Sequence, residues 1–208
     1  MFSTSELNST SQLFNHLKKN NPSGIVYRKH FPSQSFSIWI RSLNEDDLDI
    51  IYTWVNLPYA KKFWQMDGSK EQLHDAFEKV LNSGYEHSFI GLYNRQQVCQ
   101  ADIYKVVKNE VANFYKAGVN DIGLHLLMTP EIIPAIRYLS FYVMQTMLEY
   151  LFSHSFIENI IAEPDSDNIK ACNLLVRCGF SHVGNFQMSS KLAAIYTINK
   201  TQFQQHYK

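Results

Sequence analysis

The segment 137–152 constrains the fold of this 208-residue chain more than any other feature of the sequence. It is apolar on most sides of a helical wheel and too long for a strand, so it predicts a buried helix. Strand-like runs flank it: DIGLHLLM begins at Asp121, and the short apolar run NIIAEP occupies 159–164. A helix buried on most sides needs other layers packed against it, and the flanking strands predict that one layer is a sheet.

Hydrophobic periodicity predicts further strands and helices on both sides of this unit. Phe36, Ile38 and Ile40 share one face of a strand, and Asn44 before three carboxylates is typical of a helix N-cap. The other predicted elements are a helix at 48–55 that Pro58 ends, a helix at about 70–81, a hairpin of strands 87–94 and 96–106 turning near Asn94 and Arg95, a helix at 168–178 closed by Gly179, and strands at 183–187 and 193–198. This order predicts the α/β (α+β) class, with a mixed, mostly antiparallel central sheet flanked by helices.

The first 35 residues are rich in Ser, Asn, Gln and Lys, unlike the segments that follow. They predict a polar N-terminal extension, 1–35, with one helical turn at 13–17 and one strand around 25–27. A single domain, 36–208, follows it.

Composition excludes several classes of function. Hydrophobic residues make up 45% and charged residues 18% of the chain, which predicts a folded domain. Lys plus Arg equals Asp plus Glu at 19 each, so no nucleic-acid or membrane partner is predicted. The cysteines Cys99, Cys172 and Cys178 lack the spacing of a metal site and predict buried thiols in a reducing compartment. Without a signal peptide or an apolar span, a cytoplasmic protein with no metal is expected.

Three stretches carry a resemblance to a known family. They are WVNLPYAKKFWQM from Trp54, ANFYKAGVNDIGLHLLMTP from Ala112 and EPDSDNIKACNLLVRCGF from Glu163. Together with the order of the elements, they resemble the GNAT acyltransferases, and among these the siderophore-biosynthesis enzymes that acylate lysine or N6-hydroxylysine. The resemblance covers about residues 36 to 200, and the G-L-H-L-L run is its most specific part.

The resemblance implies an N-acyltransferase that uses acetyl-CoA and a small amine or hydroxylamine acceptor. N6-hydroxylysine or a related hydroxylated amine is the first candidate, and a homodimer is left open. An aminoglycoside-type or other small-amine N-acetyltransferase is the second hypothesis, against which Lys61 and Lys62 and the scarcity of carboxylates in the segment from Trp54 argue mildly. A non-catalytic GNAT-fold binding protein is the third.

Two residues are candidates for the chemistry. Acyl transfer needs a base for the proton that the nucleophile releases. His125 lies mid-strand between Leu124 and Leu126, so it faces away from the core if those leucines face it, and its imidazole titrates near neutral pH. The resemblance makes His125 the base and Asp165 the acidic partner that orients it or holds a substrate ammonium. The alternatives are a structural histidine and, for Asp165, a turn or N-cap residue.

The resemblance also assigns binding residues. The coenzyme A candidates are Leu127, Met128, Arg137, Tyr138, Leu139, Ser140, Asn168 and Cys172. The acceptor candidates are Trp54, Asn56, Trp64, Tyr115 and Asp121, with a core-covering role as the alternative for Trp64.

Two departures from the family pattern stand out. The Q/R-x-x-G-x-G/A loop reads Arg137-Tyr138-Leu139-Ser140 here, so the glycines that admit a pyrophosphate to backbone N–H groups are lost. This loss is the motive for the non-catalytic hypothesis. Leu175 stands where many GNAT enzymes have a tyrosine that protonates the leaving thiolate.

Overall fold

The computed structural model describes residues 8–19, 24–129 and 135–207, and in them eight strands form one sheet. The strands are β1 (Ile25–Phe31), β2 (Phe36–Ser42), β3 (Glu86–Tyr93), β4 (Gln96–Lys105), β5 (Ile122–Met128), β6 (Asn159–Ala162), β7 (Ser181–Gln187) and β8 (Leu192–Asn199). Their order is β1-β2-β3-β4-β5-β6-β8-β7, and every neighbouring pair is antiparallel except β5 and β6. The predicted mixed, mostly antiparallel sheet is confirmed.

Helices cover both faces of this sheet. They are α1 (Thr10–Lys19), α2 (Leu48–Val55), α3 (Pro58–Phe63), α4 (Lys70–Ser83), α5 (Leu139–Phe152), α6 (Ile169–Arg177) and α7 (Lys200–His206). On one face, α1, α5 and α6 share a core with β4 residues such as Ala101 and Ile103. On the other, α2 and α4 pack on Ile90 and Leu127. None of the helices in the described ranges has the length and apolarity needed to cross a bilayer.

The described part of 1–35 is integrated into the domain, which corrects the predicted boundary at 35. Leu13, Phe14 and Leu17 are at most 3% exposed and lie in the same core as α5. β1 pairs along its length with β2. The polar composition reflects only the outer face of α1, because the spacing of its three large apolar residues suits one buried helical stripe. Residues 1–7 and 20–23 lie outside the described ranges.

Local signals account for most element ends. Asn94 and Arg95 both have positive φ, 47° and 68°, as a two-residue hairpin turn requires, so the predicted turn is confirmed. Pro58 does not only end α2; it also begins α3 at a position where its missing N–H costs nothing. The predicted helix at 137–152 starts two residues later because Tyr138 has φ 62°, outside the helical region.

The parallel pair β5–β6 separates soon after it forms. β6 pairs with β5 only at Ile122 and Gly123, whereas β4 stays paired with β5 as far as Met128. In the described residues, the edge of β5 from 124 to 128 therefore lacks a strand partner on the β6 side. This leaves a wedge-shaped gap in the sheet, which we call the β5–β6 gap.

Candidate active site

Strand register places His125 in a row of polar side chains on one face of the sheet. Asp102 on β4 lies opposite His125 on β5, and Ser88 on β3 lies opposite Asp102. Because side chains alternate along a strand, Gln100 and Tyr104 share this face with Asp102. The leucines on either side of His125 point to the other face, as the sequence predicted.

His125 is held by a carboxylate that follows β6. His125 Nε2 contacts Glu163 Oε1, and the Tyr104 hydroxyl donates to Glu163 Oε2 at 2.6 Å. Glu163 is 3% exposed, so both of its oxygens are committed within the protein. The three residues come from β4, β5 and the end of β6, and they form one hydrogen-bonded chain beside the β5–β6 gap.

The charges in this chain stabilise each other. Burial is the largest effect on His125 and lowers its pKa, but the charge and hydrogen bond of Glu163 together raise the pKa above its usual value. Burial raises the pKa of Glu163, and the charge and hydrogen bond of His125 outweigh it, so the carboxyl is ionised. Since a carboxylate only accepts, Nε2 of His125 carries the hydrogen. In the neutral ring, Nδ1 is then the nitrogen that can take a proton.

A glycine makes room for this arrangement. The ring of Tyr104 lies directly over Gly123, its cross-strand partner. A Cβ on Gly123 would stand 1.9 Å from Cζ of Tyr104, a separation that real atoms do not adopt. The close approach lets the Tyr104 hydroxyl cross β5 and reach Glu163.

A cavity of ≈ 160 Å³ lies between this face of the sheet and helices α2 and α4. Polar side chains of β3, β4 and β5 line its floor: Glu86, Ser88, Gln100, Asp102, Tyr104 and His125. Apolar side chains of the two helices line its roof: Leu48, Ile51, Leu73, Ala76, Phe77 and Val80. His125 therefore lies between a small acceptor-sized cavity and the β5–β6 gap.

Asp165 does not take the orienting role predicted for it. Its Oδ1 accepts from the Asp167 backbone N–H at 2.8 Å, and its backbone bridges to Ala193. The carboxylate on His125 is that of Glu163, two residues earlier in the same E-P-D run. Asp165 shapes the turn into α6, which is the alternative that the sequence left open.

The predicted acceptor residues fall into two groups. Trp64 is placed near the chemistry, with its ring centroid 6.1 Å from that of His125, and its buried Nε1 has no hydrogen-bond partner in the described residues. Trp54 is 3% exposed in the core beneath α2, and Asn56 donates to the Tyr52 carbonyl at the end of that helix. Neither lines the cavity, and their contact with the acceptor stays a prediction.

Tyr115 and Asp121 are also structural. Asp121 is 1% exposed and accepts from the Gly118 N–H and the Asn159 side chain, both at 2.8 Å. It thereby ties the start of β5 to the start of β6. Burial, and then the charge and hydrogen bond of Asp121, raise the pKa of Tyr115 to about 12. Both residues brace the loop before β5 and neither lines the cavity, so their role in acceptor binding stays a prediction.

Backbone alternation decides which β5 residues face the gap. The Thr129 N–H donates to the Val98 carbonyl at 2.9 Å, so every second residue before Thr129 directs its backbone groups at β4. Leu127 is one of them, and its side chain is 4% exposed in the core, which removes it from the coenzyme A candidates. The backbone groups of Leu124, Leu126 and Met128 face the gap.

The carbonyl of Met128 is already engaged, because the Tyr59 hydroxyl of α3 donates to it at 2.6 Å. Tyr59 therefore stands at the wide end of the β5–β6 gap. Leu124 and Leu126 are left as the residues whose backbone groups can pair with an extended ligand there.

The loop before α5 keeps a glycine-like conformation without glycine. Tyr138 has φ 62° and ψ 26°, in the left-handed region, and it precedes the first turn of α5. Its exposed ring lies between Arg137 and Arg177, with guanidinium carbons 4.7 and 4.6 Å from the ring centroid. Leu139 is 6% exposed in the core and can offer only its backbone, whereas Ser140 lies partly exposed in the first helical turn. Residues 130–134 lie outside the described ranges.

The two candidates on α6 have local contacts. Asn168 is the N-cap of α6, and its Oδ1 accepts from the Ala171 N–H at 3.2 Å. Cys172 Sγ lies 3.9 Å from the Asp165 carbonyl. A place for coenzyme A beside these residues stays a prediction.

Comparison with known proteins assigns the family. Residues 44–188, more than half of the chain, match the family model described as acetyltransferase (GNAT) domain. The chain belongs to the GNAT acetyltransferase family. The predicted fold and the predicted acyltransferase class are thereby confirmed.

Two relatives of this GNAT domain are named as enzymes that act on hydroxylated amines. The N-hydroxyputrescine acetyltransferase of Acinetobacter baumannii is 26% identical over 165 residues, covering 77% of this chain and 78% of that protein. The N(6)-hydroxylysine O-acetyltransferase of Escherichia coli is 23% identical over 183 residues, covering 88% of this chain but 58% of that protein. The chain therefore spans little more than half the length of the second relative.

A solved structure shares the GNAT architecture. The aminoglycoside acetyltransferase AAC(6')-Ib in complex with coenzyme A superposes with a TM-score of 0.74. The match is 17% identical and covers 82% of this chain and 99% of that one. At this identity, the likeness concerns the fold.

Leu175 departs from the family pattern in the structure as in the sequence. It is 3% exposed and packs in the core beneath α6. It therefore offers no acid at the position where many GNAT enzymes have a tyrosine. Within the described residues, no group of histidine, cysteine and carboxylate side chains could hold a metal ion.

Replacing Glu163 by Gln is expected to lower the pKa of His125. The change removes the charge that raises this pKa and leaves the burial that lowers it. NMR titration of the imidazole signals measures the pKa directly, without an activity assay. Asp165→Asn is the matched control and leaves the titration unchanged. A shift in Asp165→Asn, with none in Glu163→Gln, contradicts the assignment of the acidic partner.

Proposed function

We propose that this GNAT protein transfers an acetyl group from acetyl-CoA to the nitrogen of a small hydroxylated amine, such as N6-hydroxylysine or a related compound of siderophore biosynthesis. The observation that carries the proposal is the His125–Glu163 pair, which lies between the small cavity and the β5–β6 gap. The relatives named for N-hydroxyputrescine and N(6)-hydroxylysine support the acceptor class.

In this proposal, His125 acts as the general base. As the acceptor nitrogen forms the amide bond, the C–S bond of the thioester breaks and coenzyme A leaves as its thiolate. Nδ1 of His125 takes the proton that the nitrogen loses, while Nε2 donates to Glu163. Glu163 keeps the ring in the required tautomer and stabilises the imidazolium that forms. Tyr104 fixes Glu163 from the other side, so the pair is positioned before the acceptor binds.

The chain offers fitting groups for acetyl-CoA, which supplies the acetyl group as a thioester. The edge of β5 at Leu124 and Leu126 can pair with the amide-bearing arm of the cofactor. The first turn of α5 presents backbone N–H groups, and Arg137 and Arg177 add positive charge beside them, which suits phosphate groups. The left-handed Tyr138 supports this reading of the loop despite the lost glycines.

Removing the positive charge of Arg137 is expected to weaken coenzyme A binding. Because the side chain is exposed, Arg137→Ala should raise the dissociation constant roughly 3- to 10-fold rather than abolish binding. Isothermal titration calorimetry measures this constant. Arg95→Ala, in the exposed β3–β4 turn, is the control. Equal affinities in wild type and Arg137→Ala would move the phosphate site elsewhere.

The size of the cavity favours a small acceptor over an aminoglycoside. Pockets for drug-sized ligands usually measure about 300–1,000 Å³, whereas this one measures ≈ 160 Å³ under an apolar roof. The carboxylates that line the cavity come from β3 and β4, not from the segment after Trp54. Lys61 and Lys62 in that segment therefore say little about the charge of the cavity, and the case against an aminoglycoside rests on the cavity volume.

A thiol-release assay with acetyl-CoA and a panel of hydroxylated amines tests the function. Turnover with at least one of them is expected. Absence of turnover with every acceptor, in protein that melts cooperatively and binds coenzyme A, would support the non-catalytic alternative instead.

A cytoplasmic location and a homodimer stay predictions in this proposal. The three cysteines carry free thiols, which fits a reducing compartment.

A further inference from the structure

The floor of the cavity carries more hydrogen-bond acceptors than donors. Glu86 on β3 and Asp102 on β4 both line it. Asp102 lies one strand from His125, and Glu86 lies two strands away, opposite Tyr104. Adjacent strands are about 4.8 Å apart, so the carboxylates extend from the base toward the far end of the cavity.

Among the described residues that line the cavity, His125 is the one whose positive charge acts on these two carboxylates, and that charge is already paired with Glu163. In the described part of the chain, neither takes part in a salt bridge, and no Lys or Arg lines the cavity. Desolvation and then the charge of Asp102 raise the pKa of Glu86, although the charge of His125 partly offsets them. Desolvation raises the pKa of Asp102, although Ser88, Gln100 and His125 partly offset it. The site is thus electrostatically incomplete, since a positive charge between the carboxylates would stabilise both ionised forms.

A buried amide oxygen points to the same missing group. Gln100 is 5% exposed and lines the cavity. Its Nε2 donates to both oxygens of Asp102, at 3.0 and 3.1 Å, which fixes the orientation of the amide. Its Oε1 is buried and has no hydrogen-bond partner among the described residues. A buried carbonyl oxygen without a donor is costly, so this atom favours a ligand that donates hydrogen bonds.

The roof of the cavity limits what lies between the base and these acceptors. Ile51, Leu73 and Phe77 cover it with apolar surface. An alkyl chain gains from burial there, whereas a second polar branch would be desolvated without a partner.

We infer that the acceptor is a hydroxylated diamine, whose hydroxylamine nitrogen lies at His125 and whose distal ammonium lies among Asp102, Glu86 and Gln100 Oε1. An ammonium brings three donors and one positive charge to a site that offers three acceptors and whose nearby positive charge, on His125, is paired with Glu163. An amino-acid acceptor would place its α-carboxylate against the same carboxylates, with no lining Lys or Arg to receive it. This inference rests on the proposed function and narrows its substrate class.

The test compares three acceptors in the acetyl-CoA assay: N-hydroxyputrescine, an alkyl hydroxylamine of equal chain length without the ammonium, and N6-hydroxylysine. We expect kcat/KM for the diamine to exceed each of the others about 10-fold or more, because hydrogen bonds to a charged group are among the strong ones and only the diamine makes them here. Equal or better use of N6-hydroxylysine overturns the inference and leaves the proposed function standing.

Variants of the two cavity carboxylates test whether they bind the distal ammonium. Glu86→Gln and Asp102→Asn are each expected to lower the ratio of kcat/KM for the diamine to that for the alkyl hydroxylamine about 10-fold, which separates ammonium binding from any general loss of rate. Asp75→Asn, on the exposed side of α4, is the matched control and keeps the ratio. An unchanged ratio in both cavity variants contradicts the assignment.

If no acceptor is acetylated, the proposed function is refuted. A binding measurement still tests the inferred ammonium site in that case. Calorimetry with putrescine then tests the ammonium site alone. Binding that Glu86→Gln weakens supports the site, and absence of binding in folded wild-type protein overturns it.

Discussion

Replacing His125 by Gln is expected to lower kcat for acetyl transfer by a factor of about 10² to 10⁴, the usual contribution of a general base. Gln can keep a hydrogen bond to Glu163, so the buried carboxylate retains a partner, but its amide cannot accept a proton at neutral pH. Ala would instead leave Glu163 ionised and unpaired, which mixes a loss of stability with the loss of the base. Steady-state rates across pH measure the effect.

The pH profile identifies the group that takes the proton, which the size of the rate loss alone does not. In the wild type, kcat should rise with pH through the His125 pKa, because the neutral ring is the base and its protonated form is inactive. The raised pKa places this rise above the value of a free histidine. In His125→Gln the rise should disappear, while the affinity for coenzyme A is unchanged. A variant that retains more than about a tenth of wild-type kcat would show that water or another residue takes the proton.

The placement of His125 could be predicted from the sequence because it depends only on alternation within one strand. Leucines on either side fix the face of the sheet that the imidazole occupies. The same reasoning applies to Gln100, Asp102 and Tyr104, polar residues at every second position of the run 98–104, whose other members are apolar. This alternation is a signal in the sequence for the polar row beside His125.

The partner of His125 could not be predicted in the same way. Glu163 and Asp165 are two residues apart in one short run, so in an extended chain their side chains point to the same face of the sheet. Either could therefore reach His125 from the end of β6. The choice depends on the register of β6 against β5, in which Ile161 lies opposite Gly123. Register between strands 38 residues apart is set by tertiary packing, and no local pattern in the sequence records it.

The N-terminal segment shows a limit of composition as evidence. Ser, Asn, Gln and Lys dominate it, yet Leu13, Phe14 and Leu17 fill part of the main core. Three large apolar residues suffice to bury one face of a helix, and the remaining residues are free to be polar. Average polarity predicted an extension with one helical turn, whereas the structure packs the apolar residues of α1 into the core.

Adding a single methyl group at position 123 tests how the site is built. Gly123→Ala is expected to destabilise the protein by about 1–3 kcal/mol or more, because the new Cβ would meet the ring of Tyr104 at 1.9 Å. Tyr104 is 4% exposed and its hydroxyl donates to Glu163, so moving the ring away from Gly123 breaks that buried hydrogen bond. A displaced ring also withdraws its hydroxyl from Glu163, so activity should fall along with stability.

Two comparisons separate packing from the hydrogen bond and from backbone strain. Gly84→Ala adds the same methyl where no atom lies within 4 Å, but at φ 69°, so it should cost about 1 kcal/mol and leave activity intact. Tyr104→Phe keeps the ring and removes the donor to Glu163, so it should reduce activity without the loss that overpacking causes. Thermal melts should shift by about 2–4 °C per kcal/mol for a chain of this size. If Gly123→Ala melts no lower than Gly84→Ala and retains wild-type activity, the ring of Tyr104 does not need the space above Gly123, and Glu163 is held by His125 alone.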